Sequence, residues 1–143
     1  MIEVLQRGLG EVKKCPTILV ADDEEQLLKV LKVSFGLEGF EVVTANDGLA
    51  ALRAFEGSQP DAAVLDIGMP GVDGFGVLQF IRERSNIPVI LVTASDEPSY
   101  QRRALAAGAD GYMTKPFDWA ELVDRVRSKL SAPVPRRRQR SVN

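Results

Sequence analysis

The chain has no histidine and a single cysteine, Cys15, among its 143 residues. Without histidine there is no imidazole-based zinc site and no Ser-His catalysis. One cysteine excludes an intramolecular disulfide. No apolar run approaches the ~20 residues that cross a bilayer. The first thirty residues also lack the charged-then-apolar order of a secretory leader, so the expectation is a cytoplasmic protein without membrane contact. Whatever chemistry the chain performs therefore falls to carboxylates, hydroxyls and lysine. Apolar residues at 45% and charged residues at 27% are ordinary for a soluble domain, and the length is enough to bury a core without staples.

The net charge of −2 conceals an asymmetry. Arg136, Arg137, Arg138 and Arg140 crowd the last residues; without them the chain holds 14 basic against 20 acidic residues, a net of −6. Residues 131–143 ("SAPVPRRRQRSVN") read as a solvated Pro- and Arg-rich tail or linker. Its charge alone would attract nucleic acid or an acidic partner. Residues 1–16 carry Ile2, Leu5, Leu9 and Val12 at helical spacing interrupted by glycines, and read as a frayed extension or weakly docked helix.

Between them, from Thr17 to Leu130, apolar runs alternate with amphipathic ones. "TILVA" (17–21), "EVVTA" (41–45), "DAAVLD" (61–66), "IPVILVTA" (87–94) and "DGYMTK" (110–115) are short and rich in β-branched or small apolar residues, which predicts strands, several buried on both faces. The helical spacings fall in 24–39, 47–57, 72–85, 97–108 and 118–130, with Gly39 closing the first, Asn46 or Asp47 capping the second and Pro98 in the first turn of the fourth. Strict alternation of five strands with five helices predicts a doubly wound α/β domain with a parallel sheet.

In such sheets ligands bind at the carboxyl ends of the strands. The predicted strand ends carry Asp22 and Asp23, then Asp66, Thr93 and Lys115. Each has a plain structural reading: helix caps for the acidic pair, a strand-end hydroxyl, a solvated loop lysine. Asp66 fits none of these, because a carboxylate against an apolar strand is costly unless paired. Taken together they suit one task. Clustered carboxylates are relieved by a hard cation such as Mg²⁺, which takes oxygen ligands. Asp22, Asp23, Asp66 and a backbone carbonyl would hold it, Asp66 would attack phosphorus, and Lys115 and Thr93 would meet the phosphoryl oxygens. Met69-Pro70-Gly71 keeps the following loop irregular so that it bends back towards the metal.

The motifs "VADDE" (20–24), "LDIGMPGVDG" (65–74), "VTAS" (92–95) and "GADGYMTKPF" (108–117) resemble, in order and spacing, the receiver domain of bacterial two-component response regulators over residues 17–130. The resemblance implies a flavodoxin-like sheet of strand order 2-1-3-4-5 and Asp66 as phosphoacceptor. It places Mg²⁺ on Asp22, Asp23, Asp66 and the carbonyl of Gly68, with Lys115 on the phosphoryl group and a cis Lys115-Pro116 bond. It implies a switch through Thr93 and Tyr112 that moves the face built from the fourth helix, fifth strand and fifth helix. Tyr112 equally reads as a half-buried strand aromatic. Small residues at Gly68 and Ser95 leave Asp66 open to water and imply a short-lived phosphoryl group. The donor implied is a histidine kinase or phosphotransfer protein, since this chain has no histidine of its own. A protein target or an effector domain elsewhere receives the signal, and nucleic acid is reached only through the tail or such a domain. A phosphorylation-linked homodimer belongs to the family's repertoire; of its charged contacts Glu121 and Arg125 match, whereas Gln101 and Gly111 do not. The chain is then a switch and not an enzyme in the ordinary sense. An aspartyl phosphatase of the haloacid-dehalogenase type needs an acid two residues beyond a first-strand nucleophile, which "ADDEE" does not supply beside a hydrophobic motif. A receiver-fold binding module that is never phosphorylated is the other reading.

Overall fold

The computed structural model describes residues 15–131. The readings of 1–16 as an extension and of 131–143 as a basic tail lie outside the described residues except at 15–16 and 131. Five strands and five helices alternate: β1 (Thr17–Ala21), α1 (Glu25–Leu37), β2 (Glu41–Ala45), α2 (Gly48–Ser58), β3 (Ala62–Asp66), α3 (Gly74–Arg82), β4 (Val89–Thr93), α4 (Pro98–Ala106), β5 (Gly111–Thr114) and α5 (Trp119–Leu130). All pairings are parallel and the order is β2-β1-β3-β4-β5. This is the doubly wound fold that the alternation and the family resemblance imply.

β1, β3 and β4 are buried at every position because both faces of the sheet are covered there. Alternate side chains point to opposite faces, so each strand feeds two cores. Leu19, Ala63, Leu65, Val89 and Leu91 pack with Phe55, Leu78 and Ile81 on the side of α2 and α3. Ile18, Val20, Val64, Ile90 and Val92 pack with Leu31, Phe35, Leu122 and Val126 on the side of α1 and α5. Burying each such Leu, Ile or Phe contributes about 1.5–3 kcal/mol, and substituting a charge into β1, β3 or β4 would place it in one core or the other.

Element ends follow local chemistry. Gly39, at φ +95°, ends α1, with the Phe40 N–H returning to the Phe35 carbonyl. Asp47, of the two candidates, caps α2 by accepting from the Ala50 N–H at 2.7 Å. α2 runs one residue past Gly57, because Gln59 takes the left-handed conformation instead. α3 is shorter than its apolar spacing predicts: Asp73 caps it through the Gly76 N–H, which leaves Val72 in the preceding loop.

Candidate functional site

The sheet register builds the site. β1 and β3 are aligned with Ala21 opposite Leu65, so the next residues, Asp22 and Asp66, come level on adjacent strands. β4 and β5 pair Thr93 with Thr114, which sets Lys115 one step beyond. By the two-residue period, Asp22, Asp66 and Lys115 share the parity of the core beneath α1 and α5, and Thr93 has the opposite parity.

Asp22, Asp66 and Thr93 are buried, at 1%, 4% and 4% exposure, whereas Asp23 is exposed. Carboxylate oxygens of Asp22, Asp23 and Asp66 all lie within 4.8 Å of one another. Lys115 Nζ is 2.8 Å from Asp22 Oδ2, 2.9 Å from Glu24 Oε1 and 3.5 Å from Asp66 Oδ1. The lysine that reads in isolation as a solvated loop residue is thus a largely buried ionic hub. Its peptide bond to Pro116 is cis, as the family resemblance implies. Asp22 does not cap α1, whose N-cap is Glu24 without a side-chain bond; its Oδ1 instead accepts the Glu24 N–H at 2.8 Å in the turn before the helix. Its buried Oδ2 makes no hydrogen bond of good geometry, although the Lys115 ammonium stands against it.

The electrostatics follow from this crowding. Burial first, and the Asp22 carboxylate second, push the Asp66 carboxyl above its ordinary value; Lys115 and the Gly68 N–H oppose the rise without cancelling it. Burial disfavours the Lys115 ammonium, yet the adjacent carboxylates of Asp22, Glu24 and Asp66 outweigh that and raise it above an ordinary lysine. Thr93 Oγ1 accepts the Ser95 N–H at 3.1 Å. The Tyr112 hydroxyl is buried without a hydrogen-bond partner; burial, then Tyr100 and Asp96, push its phenol upward.

An open cavity of about 1070 Å³ lies at Asp66, lined by the polar Asp23, Thr93 and Lys115 and by the apolar Leu27, Val30 and Phe117 among others. Gly68 is exposed at its rim, and a side chain built there would begin 3.9 Å from Asp66 Oδ2. The structure therefore gathers every strand-end residue singled out in the sequence. Glu24, the second anionic partner of Lys115, was not among them, because an acidic residue beside a helix start carries no spacing signal of its own. Tyr100, on the cavity wall, was hidden in the same way among the polar residues of α4.

The response regulator receiver domain matches residues 18–127. The chain belongs to this family. It is 40% identical over 122 residues to the probable transcriptional regulator ycf27 of Galdieria sulphuraria, covering 85% of this chain and 48% of that protein. It is 41% identical over 113 residues to the transcriptional regulatory protein KdpE of Mycobacterium tuberculosis, covering 79% and 50%. Among solved structures, the receiver domain of the Francisella response regulator 1452 matches at 35% identity and a TM-score of 0.76, over 80% of this chain and 96% of that one. The receiver thus spans about half the length of the curated relatives it matches.

The donor set of this receiver fits a hard divalent cation. It is all oxygen, and one of its carboxylate oxygens, Asp22 Oδ2, is buried without a well-formed hydrogen bond. Among the described residues no helix is long and apolar enough to cross a membrane.

Proposed function

We propose that Asp66 accepts a phosphoryl group from a phosphohistidine on a histidine kinase or phosphotransfer protein, and that this switches the surface around α4, β5 and α5. The observation that carries the reading is the placement of the Lys115 ammonium between Asp22 and Asp66 at the floor of an open cavity. Asp66 is the buried nucleophile: one of its oxygens bonds to phosphorus, the nitrogen–phosphorus bond of the donor breaks, and the departing imidazole keeps the electron pair. Lys115 receives one phosphoryl oxygen without needing to move far, because its ammonium already stands 3.5 Å from Asp66. The Thr93 hydroxyl, whose Oγ1 accepts the Ser95 N–H, keeps its own proton to donate to a second oxygen.

Asp22, Asp23, Asp66 and the Gly68 carbonyl would hold Mg²⁺, which when bound neutralises the charge gathered on the transferring group. The apolar wall of Leu27, Val30 and Phe117 offers the donor protein a surface beside the nucleophile. Gly68 leaves Asp66 open to water, which supports a short phosphoryl lifetime. Glu121 and Arg125, which match the charged contacts of the family's homodimer, pair with each other at 3.0 Å within α5, whereas Gln101 and Gly111 do not match. The relatives are named as transcriptional regulators, and the reading extends to this chain the control of an effector, joined or separate, that acts on transcription.

The test is intact mass after incubation with acetyl phosphate and Mg²⁺. One added phosphoryl group, absent in Asp66→Ala and absent with EDTA, is the expected result. A folded protein that gains no mass from acetyl phosphate, nor from a phosphohistidine donor, would refute the reading and leave a phosphorylation-independent binding module.

A further inference from the structure

The family resemblance sends the signal from Asp66 through Thr93 and Tyr112. A second connection runs through α3. Resting on the phosphoacceptor reading, we propose that α3 is a lever that carries displacements at Asp66 to α4 through a Phe75–Tyr100–Arg103 stack, with Arg82 as the fixed pivot.

α4 is held unlike its neighbours. Ala104 is its one buried residue, whereas α3 of equal length buries Phe75, Val77, Leu78 and Ile81. No apolar stripe therefore fixes where α4 lies. It is held instead by a stack on Phe75, through Tyr100 in its first turn and Arg103 in its last. The Tyr100 ring meets the Phe75 ring edge to face at 6.0 Å and 75°, and the Arg103 guanidinium stands 3.9 Å from the Phe75 ring centroid. Its far end is tied differently. Arg82 donates to the Gly108 carbonyl at 3.0 Å and to Asp110 Oδ2 at 2.8 Å, and Asp110 also takes the Val89 N–H at 2.9 Å. Charge-assisted bonds of this kind outlast a stack whose α4 partners, Tyr100 and Arg103, are half-buried and exposed. α4 therefore shifts against the Phe75 stack about the fixed segment that follows it, at Gly108 and Asp110. Both anchors sit on α3.

α3 in turn abuts the phosphoacceptor. The Gly74 N–H bonds the Ile67 carbonyl at 3.1 Å, and a Cβ on Gly74 would fall 2.6 Å from the Asp66 carbonyl oxygen. With no slack between the Asp66–Ile67 backbone and Gly74, movement of one displaces the other, and Phe75 is the next residue. Tyr112, whose buried hydroxyl has no hydrogen-bond partner, and Tyr100 both pack against the core beneath α2 and α3, so the two routes converge at the first turn of α4. The coupling rests on one element with two arrangements that both ends bias.

The test is hydrogen exchange at the amides of α4 in the full chain with Mg²⁺, with and without beryllofluoride as phosphoryl mimic. Wild type, Phe75→Leu and Arg103→Gln are compared, with fluorine resonance reporting bound mimic. Without mimic, the variants should exchange the α4 amides roughly 3- to 10-fold faster, the fold-change expected for one aromatic or cation–π contact. With mimic bound, both should lose the change in α4 exchange that wild type shows. Arg103 is exposed, so Arg103→Gln keeps the test open should Phe75→Leu fail to fold. A change of wild-type size in Arg103→Gln with the mimic bound overturns the lever. A folded wild type that binds no mimic overturns the phosphoacceptor reading, and the lever with it.

Discussion

Gly74→Ala separates a position chosen for space from one merely occupied by glycine. The ideal Cβ at Gly74 lies 2.6 Å from the Asp66 carbonyl oxygen, 2.7 Å from Ile67 Cα and 2.9 Å from the Asp66 carbonyl carbon. All three are backbone atoms of the β3 exit, so no side chain can rotate out of the way. Overpacking of this kind costs about 1–3 kcal/mol, while alanine in a helix recovers roughly 0.5–1 kcal/mol relative to glycine. The net expectation is a loss of ~1–2 kcal/mol. At a urea slope of ~2 kcal/mol/M, that lowers the midpoint by ~0.5–1 M. Gly57 in α2 is the control, because nothing lies within 4 Å of its ideal Cβ; there the same substitution should raise the midpoint by ~0.3 M. Gly74→Ala should also slow phosphoryl uptake, since relieving the overlap shifts the residue that carries the nucleophile. A Gly74→Ala midpoint at or above wild type would refute the packing argument.

Mg²⁺ should raise the melting temperature of wild type, by the equivalent of ~2.7 kcal/mol at a hundred times its dissociation constant; calorimetry on Asp22→Asn should show most of that gain lost. Without metal, Asp66→Asn should be more stable than wild type at pH 7. The folded-state pKa of Asp66 is raised, so stability falls as pH rises through the window from 3.8 to that raised value; urea midpoints at pH 7 and pH 4 should show the advantage of Asn shrinking as Asp66 protonates. Lys115→Met should cut phosphoryl uptake by roughly 10²-fold or more, with single-turnover mass measurements as the readout, because Asp22 and Asp66 then face each other without the ammonium.

What the sequence disclosed depended on how local the cause was. The strands announced themselves because "AVL" at 63–65 and "VILV" at 89–92 must be apolar on both faces, and their alternation with helices left one architecture. The site was legible because strand ends in a parallel sheet converge, so Asp22, Asp66, Thr93 and Lys115 could be grouped before any geometry. The depth of Lys115 and its tie to Glu24, 91 residues away, were not legible, since they depend on how the loop after β5 turns back over β1. The weak seating of α4 was half visible in "EPSYQRRALAAG", where apolar residues are scarce. That Phe75 supplies its hold could only come from packing, because a ring at the start of α3 reads in sequence as one more core residue.

The site works against the stability of the fold that presents it. Two buried carboxylates on neighbouring strands repel, and the raised pKa of Asp66 is the sign that its charged form is disfavoured where it stands. β1, β3 and β4, buried throughout, hold the carboxylates there regardless, because releasing them would expose both cores. A cation, or Lys115 in its stead, relieves part of the repulsion. In the proposed switch, a phosphoryl group on Asp66 would replace a monoanion with a bulkier, more highly charged one, and Lys115 and Thr93 would rearrange around it. The rigid sheet cannot absorb that change. On the proposed reading it would pass by way of α3 to the element with the fewest buried residues, and α4, with Ala104 as its one buried residue, has the least to lose by moving.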